Sequence, residues 1–290
     1  MKKLRIMILL FFIVVTAVFV VERVRESMTS DASAPVITAT DDSITVSVKS
    51  TEEELISGMR AFDNLNGDVT DTLVVVSRSK FISKGVIRVN YAAFDENNNV
   101  GTYSREVHFS DYTSPRYTIT EPLRFLDGNS NTDYLQNVTA EDCIDGNITQ
   151  QIRITFGEKT TLNPTTTVQE ANLMVTNSVG DNAVLPLRLK VEEYTAYNQR
   201  SPALADYVLY TPLGVRPDLR GNMDGVWSGG RTQNFRDLGL NPETDVTIND
   251  SGVDYATPGV YLVYYQLYQT LRDGTRSELG TTELIVVVEE

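Results

Sequence analysis

The sequence predicts an all-β chain, three tandem β-sandwich domains after one N-terminal transmembrane helix. Three observations predict it. A single long apolar run opens the chain, short β-branched segments separated by turn residues fill everything after Pro35, and one turn-and-strand pattern returns at a period of about eighty residues.

The apolar run, Leu4 to Val21, carries one charge, Arg5. As a helix rising ~1.5 Å per residue it covers roughly 27 Å, close to the hydrocarbon thickness of a bilayer. Lys2, Lys3 and Arg5 precede the uncharged stretch and no acidic residue appears before Glu22, so positive charge places the start in the cytoplasm and the rest outside. The run lacks the polar stripe of a buried soluble helix, and it is longer than a signal-peptide core. Its one small-x-small site, Ala32-Ser33-Ala34, lies well past the run and is followed by Pro35, which blocks cleavage. The reading is therefore an uncleaved anchor over residues 1–21, a polar stalk over 22–34, and a single-pass protein with its domains extracytoplasmic.

Composition agrees with export. Of 290 residues, 41% are hydrophobic and 22% charged, a globular balance and not a disordered one. Residues 1–26 carry five basic and two acidic side chains, yet the whole chain is at −14, so the exported part is strongly acidic. Such a surface repels phosphate backbones and argues against a nucleic-acid partner. The one cysteine, Cys143, excludes an intrachain disulfide, a habit more typical of bacterial surface proteins than of secreted eukaryotic ones.

The ectodomain reads as strands. Ile44 to Val48, Leu73 to Val76, Val86 to Tyr91 and Glu106 to Phe109 are short runs bounded by Asp, Asn and Gly. Along the third, Ile87, Val89 and Tyr91 alternate with Val86, Arg88 and Asn90, which sends the first set into a core and the second to water. Glu52 to Met59, behind Ser50-Thr51, is the one candidate for a short helix. Asn66-Gly67-Asp68-Val69-Thr70 returns as Asp145-Gly146-Asn147-Ile148-Thr149, each after an acidic patch and before a strand, with a fainter copy in Phe235-Arg236-Asp237 and Asp245-Val246-Thr247. A hairpin follows in each copy: Gly85 to Phe109 about the turn Asp95–Asn99, Val168 to Val191 about Gly180-Asp181-Asn182, and Gly259 to Val288 about Arg272–Thr275. This order of acidic patch, Gly-Asp-Val-Thr turn, strand and hairpin resembles the bacterial immunoglobulin-like repeats of surface proteins, related in pattern to hyalin-type and cadherin-like modules. The resemblance implies immunoglobulin-like domains at about 35–111, 112–193 (divergent) and 200–290, the last with a Gly- and Trp-bearing loop insertion. It says little about function.

Candidate chemistry is sparse. Asp63, Asp68, Asp142 and Asp145 collect oxygen ligands of the kind calcium takes, with Asp95–Asn99 close by in the pattern, although Asp, Asn and Gly also simply make turns. No 12-residue calcium loop of the Asp-x-Asp-x-Asp-Gly type is present. The single histidine, His108, sits in a strand, no Gly-x-Ser-x-Gly elbow accompanies it, and no catalytic residue is assigned. The segment Leu213 to Phe235 holds five glycines, the only tryptophan, Trp227, and Arg216, Arg220 and Arg231. A flexible loop displaying Trp227 with Arg220 and Arg231 alongside would bind a surface protein or glycan; equally, the ring would plug the sandwich. The expectation is a non-catalytic surface protein for adhesion, assembly or protein binding, with cell-wall glycan binding through the Trp227 loop as the alternative.

Overall fold

The computed structural model describes residues 2–29, 33–129 and 132–290; Ala32 of the expected cleavage site lies outside them. The chain divides into two compact units, one ending at Tyr112 and one beginning at Thr113.

Helix α1 (Lys2–Thr29) continues eight residues beyond the apolar run, so the first part of the expected stalk is helical. From Arg5 to Arg25 it is apolar and long enough to cross a membrane, and none of that span is buried. The sandwich of the first unit comprises β1 (Val36–Ala39), β2 (Ser43–Val46), α2 (Glu52–Ile56), β3 (Met59–Asp63), β4 (Gly67–Asp68), β5 (Val74–Arg78), β6 (Val86–Phe94) and β7 (Val100–Phe109). One sheet runs β1-β3-β4 and the other β2-β7-β6-β5, with β2 parallel to β7. The predicted alternation holds. Ile87, Val89 and Tyr91 are buried with Val107 behind them, while Arg88 and Asn90 face solvent. Each such aliphatic burial contributes roughly 1.5–3 kcal/mol. The short helix is present and ends at Ile56. Thr51 caps it, accepting from the Glu54 N–H while Glu54 accepts from the Thr51 N–H. Its terminal carbonyls meet buried donors. Tyr91 Oη donates to the Leu55 carbonyl at 3.0 Å, and the Arg105 guanidinium donates to Leu55 and Ser57.

In the second unit the same seven strands occur twice. First come β8 (Arg116–Ile119), β9 (Arg124–Leu126), β10 (Val138–Asp142), β11 (Gly146–Asn147), β12 (Arg153–Asn163), β13 (Thr166–Thr176) and β14 (Asn182–Glu192). After α3 (Tyr194–Tyr197) follow β15 (Ser201–Leu204), β16 (Val208–Pro212), β17 (Met223–Ser228), β18 (Arg231–Gln233), α4 (Pro242–Asp245), β19 (Val246–Asn249), β20 (Gly259–Thr270) and β21 (Arg276–Glu289). Their sheets, β11-β10-β8 with β12-β13-β14-β9 and β15-β17-β18 with β16-β21-β20-β19, repeat the order of the first module. The parallel pair also recurs, as β9 with β14 and β16 with β21. The fold is thus three immunoglobulin-like sandwiches.

Two expectations change. Modules two and three share one continuous core, in which Ile119 and Leu189 lie with Tyr207, Tyr265 and Ile285. Tyr207 N–H donates to Ile119 O at 2.8 Å, Tyr117 N–H to Tyr210 Oη at 2.9 Å, and Glu283 pairs with Lys190 at 2.9 Å. Pro202 lies inside β15, so the second and third sandwiches follow each other with only α3 and its flanking residues between them. The third copy of the turn is also elsewhere. The hairpin that follows β10 as β11, and β3 as β4, follows β17 as β18, so Ser228 to Arg231 is the repeat and not an insertion. Phe235-Arg236-Asp237 lies at the 3-10 turn that comes after it, as Thr70–Thr72 and Thr149–Gln151 do in the other modules.

Candidate functional site

The segment around Trp227 is built from its glycines. Ser228 pairs with Arg231 and Trp227 with Thr232, leaving Gly229-Gly230 as a two-residue loop with φ of 57° and 86°. Two consecutive left-handed residues make the hairpin turn whose twist matches its strands, which glycine adopts at least cost. The flexible display loop is therefore a tight hairpin. Its ladder also sets the side chains. Trp227 and Thr232 share one face, and Arg231 with Ser228 the other. Trp227 is 5% exposed, but its neighbour Val226 is the residue that enters the shared core, so the ring is buried outside that core and neither hangs free nor plugs the sandwich. Arg231 is exposed at the hairpin tip, and Arg220 is engaged elsewhere, donating to Pro242 O at 2.8 Å with Glu243 at 3.5 Å. The three residues do not converge.

Burial does not use up the indole. It lines a cleft of about 340 Å³ within the second unit, together with Glu121, Leu123, Tyr134, Asn137 and Tyr197. Trp227 Nε1–H has no acceptor among the described residues. A buried donor left unpaired costs about 1–3 kcal/mol. Tyr134 is fixed edge-on between Phe125 and Phe156, with ring centroids 4.7 and 5.6 Å away. Asn137 Nδ2 donates to Glu121 Oε2 at 2.7 Å, which orients both polar groups. The far wall is rigid: Arg124 is held by Glu192 Oε2 at 2.7 Å and donates to Ala196 O at 2.7 Å, which ties α3 and Tyr197 to β9. Beside this wall, burial pushes the Tyr207 hydroxyl up to about 12, and burial also raises Asp206 despite its bonds to the Ile119 and Val208 N–H groups. Aromatic surface with an oriented amide and carboxylate can hold a small hydroxyl-bearing ligand. Tyr134, Tyr197, Glu121 and Asn137 carry no local sequence signal; Glu121, Tyr134 and Asn137 come from module two, and Trp227 of module three joins them at the cleft.

The acidic turns have a different geometry. Asp142 Oδ1 accepts from the Ile144 and Asp145 N–H groups at 2.9 Å each, and Asp145 accepts from Ser178 N–H and Oγ at 2.6 Å. Asp63 Oδ1 likewise accepts from Leu65 and Asn66 at 2.8 Å, and exposed Asp68 accepts from Thr70 N–H at 3.0 Å. Bonds from the Thr70 hydroxyl and N–H hold the Asp68 carboxyl below its usual range. These carboxylates shape their own turns, and no group of three or more His, Cys, Asp or Glu side chains suited to a metal occurs among the described residues. His108 is exposed on β7, and Cys143 Sγ donates to Thr113 O at 3.2 Å.

No known protein-family profile matches the chain, and no characterised protein matches it in sequence. Among solved structures it is similar to the CBM51-2 and INT domains of Clostridium perfringens ZmpB, solved in complex with GlcNAc (TM-score 0.22, 15% identity, 52% of this chain and 26% of that one). The chain thus spans about a quarter of that structure's length. It is also similar to the lipoprotein BT2262 from Bacteroides thetaiotaomicron (0.20, 14%, 87% and 98%) and to human CDH23 EC21-23 (0.22, 12%, 89% and 100%). What makes the modules immunoglobulin-like is their own strand order and pairing.

Proposed function

We propose that the chain is a non-catalytic, single-pass surface protein with extracytoplasmic modules, and that its second unit binds a glycan segment in the Trp227 cleft. The carrying observation is a cleft lined by the Trp227 indole, two tyrosines and an oriented Asn137–Glu121 pair. Its volume lies at the low end of small-molecule sites, the size of one or two sugar rings. The anchor supports surface display. Phe11, Phe12 and their neighbours on α1 are wholly uncovered, and lipid is the solvent in which such a helix is stable.

A second reading, protein contact through module one, is favoured by a separate feature. Val36 and Phe62 face each other across the β1–β3 ladder, 64% and 62% exposed, an apolar pair of the kind found at interfaces.

The glycan reading is tested with Trp227→Phe, which keeps an aromatic ring but withdraws part of the indole surface that lines the cleft. On a cell-wall glycan array, wild type should bind, and the variant should bind about tenfold more weakly below its melting temperature. Equal binding by both, or no binding by wild type, refutes the cleft as the site.

A further inference from the structure

Asp63 is 1% exposed, and only one of its oxygens is used by its turn. The other, Oδ2, is sealed from solvent and has no partner among the described residues, and the same is true of Asn66 Oδ1 in that turn. Module two contains the same turn with a different outcome. There Asp142 Oδ2 accepts from Asn177 Nδ2 at 3.0 Å.

Asn177 is the first residue after β13. Its N–H donates to Asp181 O at 3.0 Å, and its Oδ1 accepts from Asp181 N–H at 2.8 Å. The residue with the same bonds in module one is Asp95, the first after β6. Its N–H donates to Asn99 O at 3.2 Å, its Oδ1 accepts from Asn99 N–H at 2.7 Å, and its Oδ2 accepts from Asn99 Nδ2 at 2.7 Å. Phe94 pairs with Val100 as Thr176 pairs with Asn182, which fixes the correspondence. The correspondence therefore puts a second carboxylate, Asp95, at the position where module two has its amide donor, and Asp95 is 6% exposed. Neither Asp63 nor Asp95 has a Lys or Arg ion-pair partner among the described residues.

Two buried carboxylates with no countercharge, beside a sealed amide oxygen, form a set of hard oxygen donors; burying such charge uncompensated is costly. We propose that module one binds one divalent hard cation, calcium by ligand type, through Asp63 Oδ2, Asp95 and Asn66 Oδ1, with water or backbone carbonyls completing the shell. Module two has lost the site by carrying Asn177. Asp68, which is exposed, takes no part.

The test uses the full-length chain in detergent micelles. Equilibrium dialysis against calcium should give one ion per chain, and millimolar calcium should raise the melting temperature by about 5 °C or more over chelator. Asp95→Asn installs the arrangement of module two, so this variant should fold, bind no ion and melt at the same temperature in calcium and chelator. Asp68→Asn should still bind one ion. The proposal is overturned by no ion in wild type, by two ions per chain, or by an ion retained in Asp95→Asn.

Discussion

Thr70 and Thr149 hold one place in two modules and show how much a single hydroxyl does. Thr70 Oγ1 accepts from Ala61 N–H at 3.0 Å, as Thr149 Oγ1 does from Ala140 N–H at 3.0 Å. Both alanines are buried in the middle strand of the smaller sheet. Thr70→Val has the same shape but strands the amide, so it should destabilise module one by ~1–3 kcal/mol, whereas Thr70→Ser should cost less. Urea unfolding with an unchanged m-value decides, and a neutral valine variant would show that water replaces the hydroxyl. This threonine was legible in the repeated Gly-Asp-Val-Thr string. The Asp95–Asn177 exchange was not. Asp63 and Asp142 align at one spacing, but Asp95 and Asn177 align only after three further residues in module two, so the two halves of the pattern drop out of step. Trp227 was half legible: its composition flagged a special position, but the residues that line the cleft with it, Glu121, Tyr134 and Asn137, lie in the preceding module.

At the scale of elements, alternation was the dependable signal. β6 and β20 both bury the residues that a period of two selects, Val89 and Tyr91 in one and Val263 and Tyr265 in the other, because each has one wet face and one dry face. The β17–β18 hairpin was misread because its glycines suggested looseness, whereas they permit closeness. A Cβ built at Gly225 lies 2.4 Å from the Gln233 carbonyl oxygen and 3.0 Å from Thr232 Cγ2. Gly225→Ala should therefore cost ~1–3 kcal/mol through displaced backbone. Gly252→Ala, where nothing lies within 4 Å, is the matched control and should be near neutral. Equal urea midpoints for the two variants would refute the close-packing account. The short helix α2 was legible because its capping box is entirely local, Thr51 and Glu54 three residues apart.

For the whole molecule, the period correctly announced three sandwiches but not that two of them form one body. The contacts that join them come from scattered residues, Tyr117, Ile119, Asp206, Tyr210 and Glu283, with no common motif. A shared core implies shared unfolding. In hydrogen exchange on the intact chain, β13–β14 and β20–β21 should lose protection at the same denaturant concentration, and Arg124→Met, which leaves Glu192 buried and unpaired, should lower both together by ~3–5 kcal/mol. Loss of β20–β21 protection alone would separate the modules. The parallel pairing that recurs in every module has a mechanical consequence. β2 lies early in its module and β7 closes it, and they run side by side in the same direction, as do β9 with β14 and β16 with β21. Tension between the two ends of a module pulls such neighbours past one another, so their cross-strand bonds are loaded together in shear instead of being peeled apart one at a time. A module built this way resists a steady pull.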